Sequence, residues 1–60
     1  MKEMWIYFYH TLYKKVVKAY TSRVEFVDGA VVFPAWGHMQ RVELKYVKRI
    51  VSEDEDEYIR

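Results

Sequence analysis

Asp28-Gly29, embedded in RVEFVDGAVVF, constrains this chain more than any other pair of residues. Asp-Gly accepts the positive φ angles of a two-residue type I′ turn, and β-rich runs flank it on both sides. A turn at these residues pairs Val27 with Ala30, Phe26 with Val31 and Val24 with Phe33. Val24, Phe26, Val31 and Phe33 then share one face, as a hairpin that packs on a core requires.

Downstream, Pro34 ends or edges the second strand because it has no N–H for a ladder. PAWGHMQ reads as a loop, with Gly37 supplying backbone freedom. RVELK resumes alternation, Val42 and Leu44 inward, Arg41, Glu43 and Lys45 outward. Beyond Leu44 the apolar residues recur at intervals of three, at Val47 and Ile50. That spacing predicts a short helical turn and then a strand fragment near Ile50-Val51.

Upstream, WIYFYHTLYKK carries large rings at alternate and adjacent positions. As a strand it sends Ile6, Phe8, His10 and Leu12 to one face and Trp5, Tyr7, Tyr9, Thr11 and Tyr13 to the other. Met4, Phe8, Leu12 and Val16 also recur at helical spacing. Strand is favoured, because β-branched and aromatic residues dominate and no N-cap or capping box is present. The expected layout is a strand over about 4–13, a turn near Lys14-Lys15 and a strand over about 16–21. In the second strand Val17 and Ala19 point inward, with Val16, Lys18 and Tyr20 outward.

Five or six short strands joined by tight turns predict an all-β, mainly antiparallel fold. The expected form is a small, strongly bent sheet or an SH3-like or Sm-like barrel over residues 1–52. An acidic tail follows at 53–60.

A 60-residue chain buries only ~60% of the surface its unfolded form exposes. It contains no cysteine, which removes disulfides, thiolate metal sites and cysteine nucleophiles. His10 and His38 lack the spacing of a zinc pair. Self-association is therefore the expected additional stabiliser. No apolar run approaches the ~18 residues of a membrane span. MWIYFY is short and no small-residue cleavage site follows it. A cytoplasmic protein without membrane contact is expected.

Catalytic signals are weak. Gly29 and Gly37 are the only glycines, so no phosphate-binding glycine loop exists. Ser22, Ser52, Thr11 and Thr21 belong to no recognisable nucleophile motif. His10 and His38 are the acid–base candidates, but a hydrogen-bonded and a surface histidine are the plainer expectations. Binding without turnover, cofactor or metal is expected.

Charge is segregated. Residues 1–52 hold nine Lys/Arg against four acids, a balance of +5, whereas residues 53–60 hold five acids against Arg60, a balance of −4. Lys14, Lys15, Lys18 and Arg23 form one basic cluster, and Arg41, Lys45, Lys48 and Arg49 another, interleaved with Tyr7, Tyr9, Tyr13, Tyr20 and Tyr46. Rings can stack on bases while the cations meet phosphates. Tyr7, Tyr9, Tyr13, Lys14, Lys15, Lys18, Tyr20 and Arg23 are thus the candidate site for a single-stranded nucleic acid or nucleotide. A solvated polar face is the plainer alternative.

The face carrying Trp5, Tyr7 and Tyr9 is too apolar to stand wet. With the loop residue Trp36 it forms a candidate interface for a second copy, a protein target or bases. The leading expectation is a homo-oligomeric β module that binds an anionic ligand. The alternative is a protein-binding inhibitor or adaptor, of the kind phages direct at host proteins. EDEDE would then serve as a solubilising run, or fold back on the basic face and compete with anionic ligands.

Overall fold

The computed structural model describes residues 3–52 and 57–59. The N-terminal aromatic run is a strand, β1 (Met4–His10), followed by β2 (Lys15–Thr21), β3 (Glu25–Val27), β4 (Ala30–Ala35) and β5 (His38–Glu43). A 3₁₀ turn (Leu44–Tyr46) leads into β6 (Val47–Ser52), and β7 (Glu57–Ile59) ends the described chain. All ladders are antiparallel. They build two open sheets, β2-β1-β6-β7 and β3-β4-β5, which do not close into a barrel.

β1 is shorter than its alternation suggested. Its register with β2 runs unshifted from Met4↔Thr21 to His10↔Lys15, so the chain must reverse immediately after His10. Residues 11–14 make that reversal. The Lys14 N–H donates to the His10 carbonyl at 2.6 Å, and Lys14 takes φ 57°. Leu12, expected inward, is consequently 77% exposed in the turn.

The Asp28-Gly29 turn forms as expected, with φ 49° and 75° at its two positions. Val27 faces Ala30 and Phe26 faces Val31. Phe26 nevertheless stays outside the core at 56% exposure, although Val31 opposite it is fully buried. The reason is position: β3 is a three-residue strand at the edge of the smaller sheet, exposed along its whole length. Val24, just before β3, packs on the core instead.

PAWGHMQ is not a loop. β4 continues through Pro34 and Ala35, turns at Trp36-Gly37 with φ 55° and 85°, and returns as β5 from His38. Pro34 is tolerated inside β4 for a geometric reason. Ala35 and His38 close the two-residue hairpin, so the preceding Pro34 nitrogen points away from β5. On that side β3 reaches only as far as Val32, and no ladder bond is lost.

The three-residue spacing after Leu44 has two causes. From Leu44 to Val47 it is the 3₁₀ turn, closed by the Val47 N–H on the Leu44 carbonyl. From Val47 to Ile50 it is a β-bulge: Tyr7 faces Arg49 but Phe8 faces Val47, leaving Lys48 as the extra residue. The bulge lets both Val47 and Ile50 point inward within one strand.

The core joins the two sheets. Ile6, Phe8, Ala19, Val47 and Ile50 come from one, and Val31, Phe33 and Val42 from the other. The Phe8 and Phe33 rings meet edge-on across the gap with centroids 6.0 Å apart. Thr21, a buried polar residue, is satisfied because its hydroxyl donates to the Arg23 carbonyl at 3.1 Å.

These placements separate two phenylalanines. Phe33→Ala should cost about 3–5 kcal/mol and unfold much of the population. Phe26→Ala should cost about 1 kcal/mol or less. Gly29→Val should cost roughly 1 kcal/mol or more through backbone alone, since nothing lies within 4 Å of a Cβ there while φ is +75°. Urea melts of the three variants check the order.

Candidate functional site

Alternation places Trp5, Tyr7 and Tyr9 on the face of β1 opposite Ile6 and Phe8. Register then decides their neighbours. Trp5 lies between Tyr20 and Val51, Tyr7 between Lys18 and Arg49, and Tyr9 beside Val16. All of these share the outer face of the larger sheet.

On that face the cations lie over the rings. Lys18 Nζ is 4.7 Å from the Trp5 ring centroid, and the Arg49 guanidinium carbon is 5.0 Å from that of Tyr7. Lys45 Nζ is 5.3 Å from the centroid of Tyr46, whose ring adjoins Tyr9 at 6.1 Å. Trp5 and Tyr20 also pack, with centroids 4.6 Å apart. Each cation–ring contact is worth ~0.5–1 kcal/mol at an exposed position. The Lys45–Glu43 pair at 3.8 Å is well exposed and adds little.

Trp5, Tyr7 and Tyr9 are half-buried within the single chain. Rings on both faces of β1 are thereby explained within a single chain: one set fills the core, the other is roofed by lysine and arginine from neighbouring strands. Long basic side chains suit this role, because their methylene stems cover apolar surface while the charge stays in water.

The sequence-derived ligand residues divide into three places. Tyr7, Tyr9, Lys18 and Tyr20 meet on the outer face, with Trp5. Tyr13, Lys14 and Lys15 lie at the β1–β2 turn. Arg23 stands in the β2–β3 connection, with neither group. The proposed interface splits likewise, since Trp36 sits at the β4–β5 turn, 6.3 Å from the Phe8 ring and remote in register from Trp5. Arg49, Lys45 and Tyr46 join the outer face although sequence reasoning left them out of the site. Only the pairing of β6 with β1 brings Arg49 there.

Tyr13 stacks on His10, with centroids 4.3 Å apart and planes 25° from parallel. Its N–H approaches His10 Nδ1 at 3.4 Å. His10 and Tyr13, with Val17, Trp36 and Gln40, line a groove of about 390 Å³ between the two turns. His38 is exposed at the start of β5.

The acidic run at 53–56 lies outside the described residues, and with it the idea that these acids fold onto the basic face. Beyond it the β7 backbone pairs with β6, Val51 opposite Glu57 and Arg49 opposite Ile59. Among the described residues no cluster of His, Asp or Glu has the grouping to hold a metal, and no helix is long and apolar enough to cross a membrane.

The chain matches no protein-family model, no curated protein and no solved structure.

A double-mutant cycle checks the roofed face. Lys18→Ala and Trp5→Phe should couple by about 0.5 kcal/mol in denaturant melts. Additive losses would show that the lysine does not hold its place over the ring.

Proposed function

We propose that the outer face of β2-β1-β6 binds a polyanion stoichiometrically, with phosphates as the recognised groups. One observation carries this reading: Lys18 and Arg49 each lie over an aromatic ring of this face, and Lys45 lies over Tyr46 in the adjoining 3₁₀ turn. A ring beneath a cation restricts the side chain before any ligand arrives, which lowers the entropy lost on binding. The covered rings of Trp5, Tyr7 and Tyr46 are poor platforms for bases while those cations remain in place. The surplus of +5 over residues 1–52 supplies attraction at long range.

Homo-oligomerisation belongs to the same reading. β2 is a seven-residue strand at the edge of its sheet and carries exposed Val16 and Tyr20. Such an edge invites pairing with a second copy. An SH3-like connectivity is supported by a three-strand meander, a 3₁₀ turn and a last long strand returning to β1. The protein-binding alternative draws on the exposed Leu12, Trp36 and Met39.

Titrating a labelled single-stranded oligonucleotide at several salt concentrations tests the proposal. Affinity should fall steeply with salt, and the Lys18→Ala/Arg49→Ala variant should bind ~10-fold more weakly at about 50 mM salt. The slope of log K against log salt should flatten by about 1.4 in that variant, one phosphate contact to the single strand being lost per residue. Absence of binding by the parent protein at about 50 mM salt would overturn the reading and leave a protein target in front.

A further inference from the structure

The two hairpins of β3-β4-β5 use the same turn with different chemistry. Asp28-Gly29 and Trp36-Gly37 both place two residues at positive φ, 49° and 75° in the first and 55° and 85° in the second. Aspartate and asparagine tolerate the first of these positions, because a short polar side chain offsets the left-handed conformation. Tryptophan has no such compensation, and a bulky residue there is strained. The ring of Trp36 packs on Phe8 with centroids 6.3 Å apart, yet the residue remains 56% exposed. Stability alone would place asparagine at residue 36. The strained, exposed ring therefore points to a contact that the isolated chain does not make.

The surroundings of Trp36 say what that contact is. Its ring faces the groove that Tyr13 and His10 line from the other turn. Tyr13 is 63% exposed and has His10 stacked on its ring. Among the described residues no cation lies over either Trp36 or Tyr13, in contrast to the roofed rings of the outer face. Both are held in place: the Gln40 amide donates to the Ala35 carbonyl at 3.0 Å beneath the Trp36 turn, and Tyr13 is tied to His10. Lys14, itself at positive φ, follows Tyr13 in the turn, Lys15 stands opposite His10 in the β1–β2 ladder, and neither has an ion pair among the described residues. The exposed Trp36 ring and the face of Tyr13 not covered by His10, beside these cations, match a flat ring attached to a phosphate.

We propose that the groove between the two turns seats an unpaired nucleobase, stacked on Trp36 with Tyr13 opposite, and that Lys14 and Lys15 meet its phosphates. This rests on the polyanion reading and narrows it, because a base can enter the groove only from a single strand. The outer face then holds the backbone without regard to sequence, and the groove distinguishes nucleic acid from other polyanions.

Anisotropy titrations with two labelled strands of equal length test this, one an oligothymidine and the other an abasic phosphodiester with the same charge. The parent protein should bind the oligothymidine about five- to a hundredfold more tightly than the abasic strand. Trp36→Asn should bring oligothymidine affinity down to the abasic level. Its melting temperature should equal or exceed the parent's, because asparagine suits φ +55°. Equal affinity of the parent for both strands would overturn the base seat and leave the polyanion reading standing. A preference for oligothymidine that persists in Trp36→Asn would overturn it too, placing stacking elsewhere or the groove on a protein target. Failure of the parent to bind either strand would overturn both readings.

Discussion

β1 is hydrogen-bonded along both edges, to β2 and to β6, and packed on both faces. The rest of the molecule depends on that double engagement. Side chains alternate along a strand, so a one-residue slip would exchange Ile6 and Phe8 for Trp5, Tyr7 and Tyr9 in the core. The core could not accept them, because its opposing positions are already filled by Ala19, Val31, Phe33 and Val42 at low exposure. Packed interiors have no spare volume for three larger rings. The inner face of β1 thus sets the register, and the register sets what stands on the outer face.

The bulge in β6 shows how far that constraint reaches. Val47 and Ile50 are three residues apart, so strict alternation would turn one of them to solvent. Setting Lys48 aside as the extra residue lets both face inward with Arg49 between them opposite Tyr7. One irregularity thus completes the core without moving Arg49 from its place opposite Tyr7. Bulges commonly re-aim a side chain in this way.

The molecule presents two kinds of aromatic surface. On the outer face each ring with a cation above it is half-covered, which adds modest stability and holds positive charge at a fixed height. At the turns, Trp36 and Tyr13 are more than half exposed, with no cation over either among the described residues, and lie on strained or tightly closed backbone. Sixty residues leave little stability in reserve, and a tryptophan at a position suited to asparagine carries a backbone strain that a turn chosen for stability alone would avoid. That contrast, rather than charge alone, separates the two proposed contacts.

The Asp28-Gly29 hairpin, the strand character of β1 and β2 and the inward set Ile6, Phe8, Val17, Ala19, Val31, Phe33 and Val42 were all legible in the chain. Their determinants are local: turn residues that accept positive φ, and alternation over a few positions. The second hairpin was hidden because Trp36 is an unfavourable residue for the turn it makes, and Pro34 masked the strand before it. The end of β1 and the exposure of Leu12 and Phe26 were hidden for another reason. They depend on where a neighbouring strand stops, which no local pattern records. The candidate site was legible only in its residue types. Tyr7, Lys18 and Tyr20 could be placed together from one hairpin, but Arg49 over Tyr7 required β6 to return across the whole chain to the far edge of β1. The parting of Trp36 from Trp5 likewise required two sheets. Contacts between residues distant in sequence are fixed by core packing and register, and those belong to the folded chain as a whole.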